Sequence, residues 1–376
     1  MRILIALTSL CALAFGHGGA PHAYPEAKEK WQFGGFADLQ YRTDTLYPTG
    51  PSGTFGYELH GEEERVEAEH LGLFARGPLG DSFDAAVELN RHNGADATLN
   101  DFVERAYVRY TTERFSLRAG RMEYALSFVA RQPWGYGFSQ MPLGLETYAR
   151  SALYGDGLSA SYTSGNVRLD ADILADQYSH VMRSTLKASG SFHALGASHS
   201  VLAYAQYQDE EENLFDTSPT HTHSHGTGCD ALSPGQFCFD TQRTLLGAGY
   251  TFSYSGARFQ TEWLKAFDRG TVRSSEYKVD RNGEHNALYA QLLYALDAFE
   301  GGARYERFWF TNEYDGGGAA ELAAQIEGEG RHSSESLTTL MLSYRLLKEH
   351  TFRIEYATDN DESLWRFQYV LFLLWE

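Results

Sequence analysis

The chain has 376 residues, a formal net charge of −19 and a mean hydropathy of −0.41, yet 14% of it is aromatic. So acidic a balance argues against a nucleic-acid binder, which carries basic patches, and against simple adhesion to anionic lipid. Large apolar side chains at such low hydropathy must alternate with polar ones, because apolar runs would raise the mean.

At the N-terminus Arg2 precedes an apolar run from Ile3 to Phe15, followed by Gly16, Gly18, Gly19 and Ala20. That order of charge, apolar run and small residues reads as a secretory signal peptide. The segment Ala14-Phe15-Gly16 offers a small-x-small site, so cleavage is expected within residues 14–20. Residues 1–16 are assigned to the signal, 17–30 to a short periplasmic segment and 31–376 to the folded body. Cys11 raises a lipoprotein reading, but Thr8-Ser9-Leu10 before it matches a lipobox poorly. No later run approaches the ~18 apolar residues of a spanning helix.

From Trp31 onward the organising signal is alternation with a period of two. Trp31, Phe33, Ala37, Leu39 and Tyr41 share one face of an extended segment, while Gln32, Asp38, Gln40 and Arg42 share the other. A helix would scatter these charges around its cylinder; a strand makes one greasy face and one wet face. The same pattern predicts strands over 31–42, 65–76, 82–92, 102–110, 115–121, 155–162, 167–175 and 183–188. It continues over 199–208, 242–253, 257–267, 286–295, 302–310, 336–346, 351–357 and 364–375. Connections alternate in length: 77–81, 111–113, 163–166, 254–256 and 348–350 are short, whereas 43–64, 122–154, 209–241, 268–285 and 311–335 are long. A soluble sandwich would also alternate, but here the polar face is charged on nearly every strand and Tyr, Trp and Phe crowd the ends of the other. The expected fold is therefore an all-β transmembrane antiparallel barrel of about sixteen strands, with short periplasmic turns and long outer loops. Export and architecture together point to the Gram-negative outer membrane.

The segment 122–154 is expected to fold inward as a constriction loop, with Glu123, Arg131, Glu146 and Arg150 narrowing the bore. A barrel this wide needs something to narrow it. The inward-facing set leans basic, with Arg105, Arg109, Arg118 and Arg168 as candidate lumen residues against acids such as Asp38, Asp84, Glu88 and Asp170. These charges either filter solutes or pair as wall residues.

The sharpest local feature is His221-Thr222-His223-Ser224-His225, placed between Asp209–Glu212 and the pair Cys229 and Cys238. Residues at i, i+2 and i+4 of an extended segment point the same way. Three such imidazoles suit Zn²⁺, Cu²⁺ or Ni²⁺, though a His-rich polar loop with no ligand reads equally from composition. Two cysteines close together in an exported chain pair by default as a disulfide. No cofactor is otherwise called for. There is no phosphate loop, nucleophile elbow or zincin helix, so no enzyme is expected.

Phe33-Gly34-Gly35-Phe36-Ala37-Asp38 resembles the first strand of the trimeric general and substrate-selective porins of Gram-negative outer membranes. Leu117-Arg118-Ala119-Gly120-Arg121 resembles the strand before their inward-folded third loop, and 155–162 the return from it. The resemblance covers nearly the whole mature chain as architecture. It implies a sixteen-stranded water-filled pore for small hydrophilic solutes or ions, a homotrimer, and membrane lipid and the barrel-assembly machinery as partners. Such porins end on an aromatic residue, whereas here Glu376 follows Trp375. A metal-binding or other uptake receptor, or a barrel hydrolase, are the alternative readings.

Overall fold

The computed structural model describes residues 30–375 apart from 44, 49–56, 61–64, 93–101, 177–181, 217–231, 234, 328–333, 348 and 360–362; within 124–153 it describes 126, 128, 138 and 142. The elements run β1 (Gln32–Arg42), β2 (Thr45–Pro48), β3 (Tyr57–His60), β4 (Arg65–Pro78), β5 (Phe83–His92), β6 (Val103–Thr111) and β7 (Phe115–Glu123). They continue with β8 (Tyr154–Ser164), β9 (Val167–Asp176), β10 (Met182–Ala194), β11 (Ala197–Asp216), β12 (Gln236–Tyr254) and β13 (Ala257–Arg273). Last come β14 (Lys278–Leu296), β15 (Phe299–Asp315), the helix α1 (Ala319–Glu327), β16 (Ser334–Arg345), β17 (His350–Thr358) and β18 (Ser363–Trp375). Among the described residues sixteen strands form one closed barrel, and β2 and β3 pair as a separate hairpin. Every barrel neighbour is antiparallel, and β1 closes on β18 from Phe33↔Trp375 to Arg42↔Arg366.

Each predicted strand is present. The short turns gather at the rim that holds both ends of the barrel. Two of them, Leu195–Gly196 and Ser255–Gly256, have positive φ at both central residues (54° and 77°, 45° and 84°). That is the mirror-image hairpin turn whose twist matches the flanking strands. The outer face is greasy. On β14, Leu288, Leu292, Tyr294 and Leu296 point outward and are exposed. Aromatic pairs ring the short-turn rim: Phe83 with Tyr110, Phe299 with Tyr344, and Phe352 with Tyr369, at centroid separations of 5.1, 4.8 and 5.0 Å. Rings belong there because they bridge hydrocarbon and headgroups.

The expected long loops 209–241, 268–285 and 311–335 need correction. Strands β11 to β15 run 20, 19, 17, 19 and 17 residues, roughly twice the length of β5 to β7. Much of those loops is strand, β13 and β14 are joined by 274–277 alone, and 319–327 is helical. The sequence hides this because the outward face changes character. On β14 it reads Asp280, Asn282, Glu284 and Asn286 before turning to Leu288. Crossing the bilayer takes ~9–11 residues of strand. The remainder stands in water, so its outward face is polar and the hydrophobic period is lost. The outward ion pair Lys265–Glu284, at 2.8 Å, lies on the water side of that change. The barrel therefore has a tall wall over β11–β15 and a low wall elsewhere. The expected loop 43–64 likewise carries the hairpin of β2 and β3.

Inside the low wall, near the closure, side chains interlock across strands. The Phe36 ring lies over Gly72 and the Phe74 ring over Gly34, while Phe74 stacks on Phe372 at 5.8 Å. A Cβ at either glycine would overlap the ring above it. Gly72→Leu is expected to cost about 1–3 kcal/mol through overpacking, lowering the thermal midpoint of the detergent-solubilised barrel. Gly80→Ala, in open space, should leave that midpoint unchanged.

Candidate functional site: the inner wall and its inserted loop

Strand register decides which inward side chains meet. Arg105 faces Glu88 and Arg109 faces Asp84 across β5 and β6, and their ion pairs measure 2.8 and 2.9 Å. Arg118 faces Ser159 and donates to its Oγ at 3.1 Å. Arg168 reaches Asp170 on its own strand at 2.8 Å, and Lys187 approaches the same carboxylate at 3.6 Å. All four candidate lumen arginines thus face inward, each held by a wall partner. Beside the closure, between β17 and β18, Arg366 pairs with Glu355 at 3.2 Å and Arg353 donates to Gln368; across the closure Gln368 donates to Asp38 at 2.8 Å. Fixed charges of both signs around a bore set up a transverse field that sorts solutes by charge.

The inner wall also carries an apolar strip that the sequence reading missed. Leu202, Tyr204, Leu245, Leu264, Ala287 and Phe308 point inward and are buried in one cluster. Doubled apolar pairs such as Leu245-Leu246 and Trp263-Leu264, which break the strict alternation, were the available signal. What covers the strip is the segment after β7. Leu126 belongs to the cluster and Phe128 packs against it. The Phe128 N–H donates to Glu262 Oε1 at 2.9 Å. Gln260 donates to Tyr289 Oη at 2.7 Å, and Tyr289 donates to the same Glu262 oxygen at 2.6 Å. Further along, the Phe138 ring lies 4.5 Å from the Arg304 guanidinium, and Pro142 lines a small cavity together with Glu306 and Phe308 of the wall. The described residues of this loop therefore sit inside the barrel, as expected. Of the candidate constriction residues, Glu123 ends β7; Arg131, Glu146 and Arg150 lie outside the described residues, as does the Glu123 side chain.

A second missed feature lies on the inner face of the tall wall. Arg243 grips Asp268 with two bonds of 2.6 and 2.7 Å. Arg281 and His285 reach the same carboxylate at 3.3 and 3.1 Å, and Arg281 also donates to Asn312 Oδ1 at 2.9 Å. Gly283 makes the arrangement possible: a Cβ there would lie 2.8 Å from the His285 ring and 2.9 Å from Asn312 Oδ1. Asp268, Arg281 and His285 fall in 268–285, which reads as loop in sequence, so their shared face was invisible.

Neither protein-family models nor curated proteins match the chain. Solved structures do. Outer-membrane expressed OmpT of Vibrio cholerae aligns over 94% of this chain and 100% of its own at 11% identity, with a TM-score of 0.55. Its loop L8 deletion mutant aligns over 92% and 99% at 12% identity, with a TM-score of 0.56. A closed barrel of sixteen strands, with short turns at one rim and a loop folded within, now stands on the chain's own geometry. The chain has the fold of these outer-membrane barrels. The anion-selective porin from Comamonas acidovorans aligns over 92% of this chain and 99% of its own at 12% identity, with a TM-score of 0.49.

That fold corrects one expectation. Absence of catalytic motifs read as absence of an enzyme, but the matched barrels named OmpT share 11–12% identity with the chain and establish fold alone. A shared fold does not decide chemistry, and the expectation is withdrawn. The candidate metal ligands His221, His223 and His225 and the cysteine Cys229 lie outside the described residues, as do the signal peptide and most of the segment 17–30. Cys238 is buried near the start of β12, with the Arg273 guanidinium 3.4 Å from its sulfur.

Glu262 is the polar anchor of the inserted loop. A hydrogen bond to a charged group contributes ~1.5–3 kcal/mol. Glu262→Ala should therefore speed amide exchange at Phe128 by roughly one to two orders of magnitude while the barrel ladder stays protected. Glu262→Gln, which keeps an acceptor, should have the smaller effect; hydrogen-exchange mass spectrometry reads both.

Proposed function

We propose that this chain is a water-filled pore of a Gram-negative outer membrane that passes small hydrophilic solutes or ions, with a modest preference for anions. The observation that carries this reading is the polar, charged inner wall narrowed by a loop anchored on Glu262. Arginines recur along the inner face, from Arg105 and Arg118 to Arg243, Arg304, Arg353 and Arg366, among carboxylates such as Glu88, Asp268 and Glu355, and acidic runs such as Glu62-Glu63-Glu64 fall in the segments expected outside. Export by the N-terminal signal fits this address, and lipid and the assembly machinery are the expected partners. A trimer form is described for OmpT of Vibrio cholerae, and a trimer is the assembly we propose here.

Purified mature protein in planar bilayers is expected to give stepwise, ohmic conductance. In a salt gradient the reversal potential should favour anions, and more so at high salt, where charges on the outer segments are screened. Strong cation preference at high salt, or a folded barrel that never conducts, overturns the reading.

The segment between β11 and β12 adds metal capture to this proposal. The strands ending at Asp216 and starting at Gln236 are among the longest in the wall, which supports presenting His221, His223 and His225 to the outside. A Cys229–Cys238 disulfide would shorten the segment and lower the entropy lost on binding. The ligand is neutral imidazole, so Zn²⁺ binding should fade as pH falls below ~6.5. Calorimetric titration is expected to show moderate binding that the His221/His223/His225→Ala variant loses. Equal binding by both would remove these residues from the site.

A further inference from the structure

The outer surface of the tall wall changes from apolar to polar at one level, and two cations stand on that step. Climbing β13 from the short-turn rim, the outward positions run from Ala257 to Trp263 without a charge before reaching Lys265. On β15 they run from Phe299 to Tyr305 without a charge before reaching Arg307. Each cation is the ninth residue of its strand, and crossing hydrocarbon takes ~9–11 residues of strand. Lys265 and Arg307 therefore meet the membrane where tails give way to headgroups, on the side opposite the short turns. In an outer-membrane barrel that side is the outer leaflet. Register sets Lys265 beside Asn286 and Arg307 beside Leu288, so the two cations flank β14 on neighbouring outward rows. Strand spacing puts them about 10 Å apart across the strands.

Aromatic rings hold both cations. The Lys265 ammonium lies 4.6 Å from the Phe267 ring centroid, and the Arg307 guanidinium 5.6 Å from that of Trp309. Such contacts restrict where a long side chain presents its charge. Arg307 is exposed, its one hydrogen bond is a long one of 3.5 Å to Ser334 Oγ, and among the described residues no carboxylate pairs with it. Its fork of donors is the shape that grips a phosphate. Lys265 pairs with Glu284 at 2.8 Å, and that carboxylate is half exposed. An ammonium has further donors to give. Higher on the same outward face stand the acceptors Glu284 and Glu313. Carboxylates repel a bare phosphate but accept hydrogen bonds from sugar hydroxyls. Phosphate-binding donors at the headgroup level, with carboxylate acceptors above them, match a phosphorylated glycolipid better than a phospholipid, which brings no sugar.

We propose that Lys265 and Arg307, framed by Phe267 and Trp309, form a binding site on the outer surface for the phosphorylated headgroup of an outer-leaflet glycolipid. The inference rests on the outer-membrane address and not on conduction. The probes are a purified lipooligosaccharide that carries its phosphates, the same preparation dephosphorylated, and phosphatidylglycerol. Native mass spectrometry of the detergent-solubilised barrel reads how much of each stays bound. The phosphorylated lipooligosaccharide is expected to bind best. Loss of one charge-assisted bond lowers affinity roughly tenfold, so Arg307→Gln should do so and Lys265→Gln/Arg307→Gln should do more. Arg307→Lys, which keeps the charge and loses the fork, should fall between, and it carries the test if the double variant fails to fold. Arg269→Gln removes an exposed outward cation higher on β13 and should bind like wild type. Wild-type binding by folded Lys265→Gln/Arg307→Gln overturns the site. An equal loss in Arg269→Gln reduces it to diffuse surface charge and also overturns it. Equal binding of the dephosphorylated form overturns phosphate recognition, and equal binding of phosphatidylglycerol overturns the glycolipid as occupant. Neither cation faces the bore, so the double variant should conduct like wild type. A barrel that binds the glycolipid through these residues and never conducts overturns the pore reading and leaves the site standing.

Discussion

Hydrocarbon offers no partner to a peptide group, and the rest of this structure depends on that constraint. Each unsatisfied N–H or C=O in lipid costs several kcal/mol, so a sheet can cross only if it has no edge. The pairing of β1 with β18 over ten residues removes the edges that an open sixteen-stranded sheet would leave. Closure also places the two ends of the barrel at one rim. From there an even strand number brings every even connection back to the same side, where the turns are short, and sends every odd connection to the other.

Closure then divides the side chains into two populations with different physics. Outside, no specific partner is needed, because lipid accepts any greasy shape; Leu, Val, Phe and Tyr recur there in no fixed order. Inside, register fixes who meets whom, and the pairs Arg105–Glu88, Arg109–Asp84, Arg243–Asp268 and Arg366–Glu355 are direct cross-strand neighbours. Removing one member of such a buried pair strands the other and costs ~3–5 kcal/mol. The lining is thus both the surface a solute would meet and part of what holds each strand in register, since a one-residue slip would turn every charge into lipid.

The tall wall breaks the symmetry of the cylinder. Over β11–β15 the strands rise past the membrane, and two packing events use their inner face. Leu126 and Phe128 of the inserted loop dock on the apolar strip, while α1 docks higher on Phe239 and its neighbours. Between the two apolar seats lies the Arg243–Asp268–Arg281–His285 cluster, which stays dry because aromatic rings close it from above. A low wall could have carried neither the helix nor that cluster.

Strand number, strand order and the orientation of the charged face were legible in the sequence, because a membrane barrel writes a period of two wherever lipid touches one face and water the other. Trp31 to Arg42 and Ser363 to Trp375 show that pattern plainly, and so do the inward Arg105, Arg109, Arg118 and Arg168. Three things were not legible. Above the membrane the outward face of β13 and β14 turns polar, so the period vanished and 268–285 looked like a loop. The inward leucines of β12 and β13 looked like noise until the loop was seen lying on them. The meeting of Arg243, Asp268, Arg281 and His285 needed the registers of three strands at once. The sequence by itself determined which residues face lipid, since that depends only on neighbours two positions away. Which inward residues share a site was decided by tertiary structure, because contacts across a barrel depend on register and on what folds back into the bore.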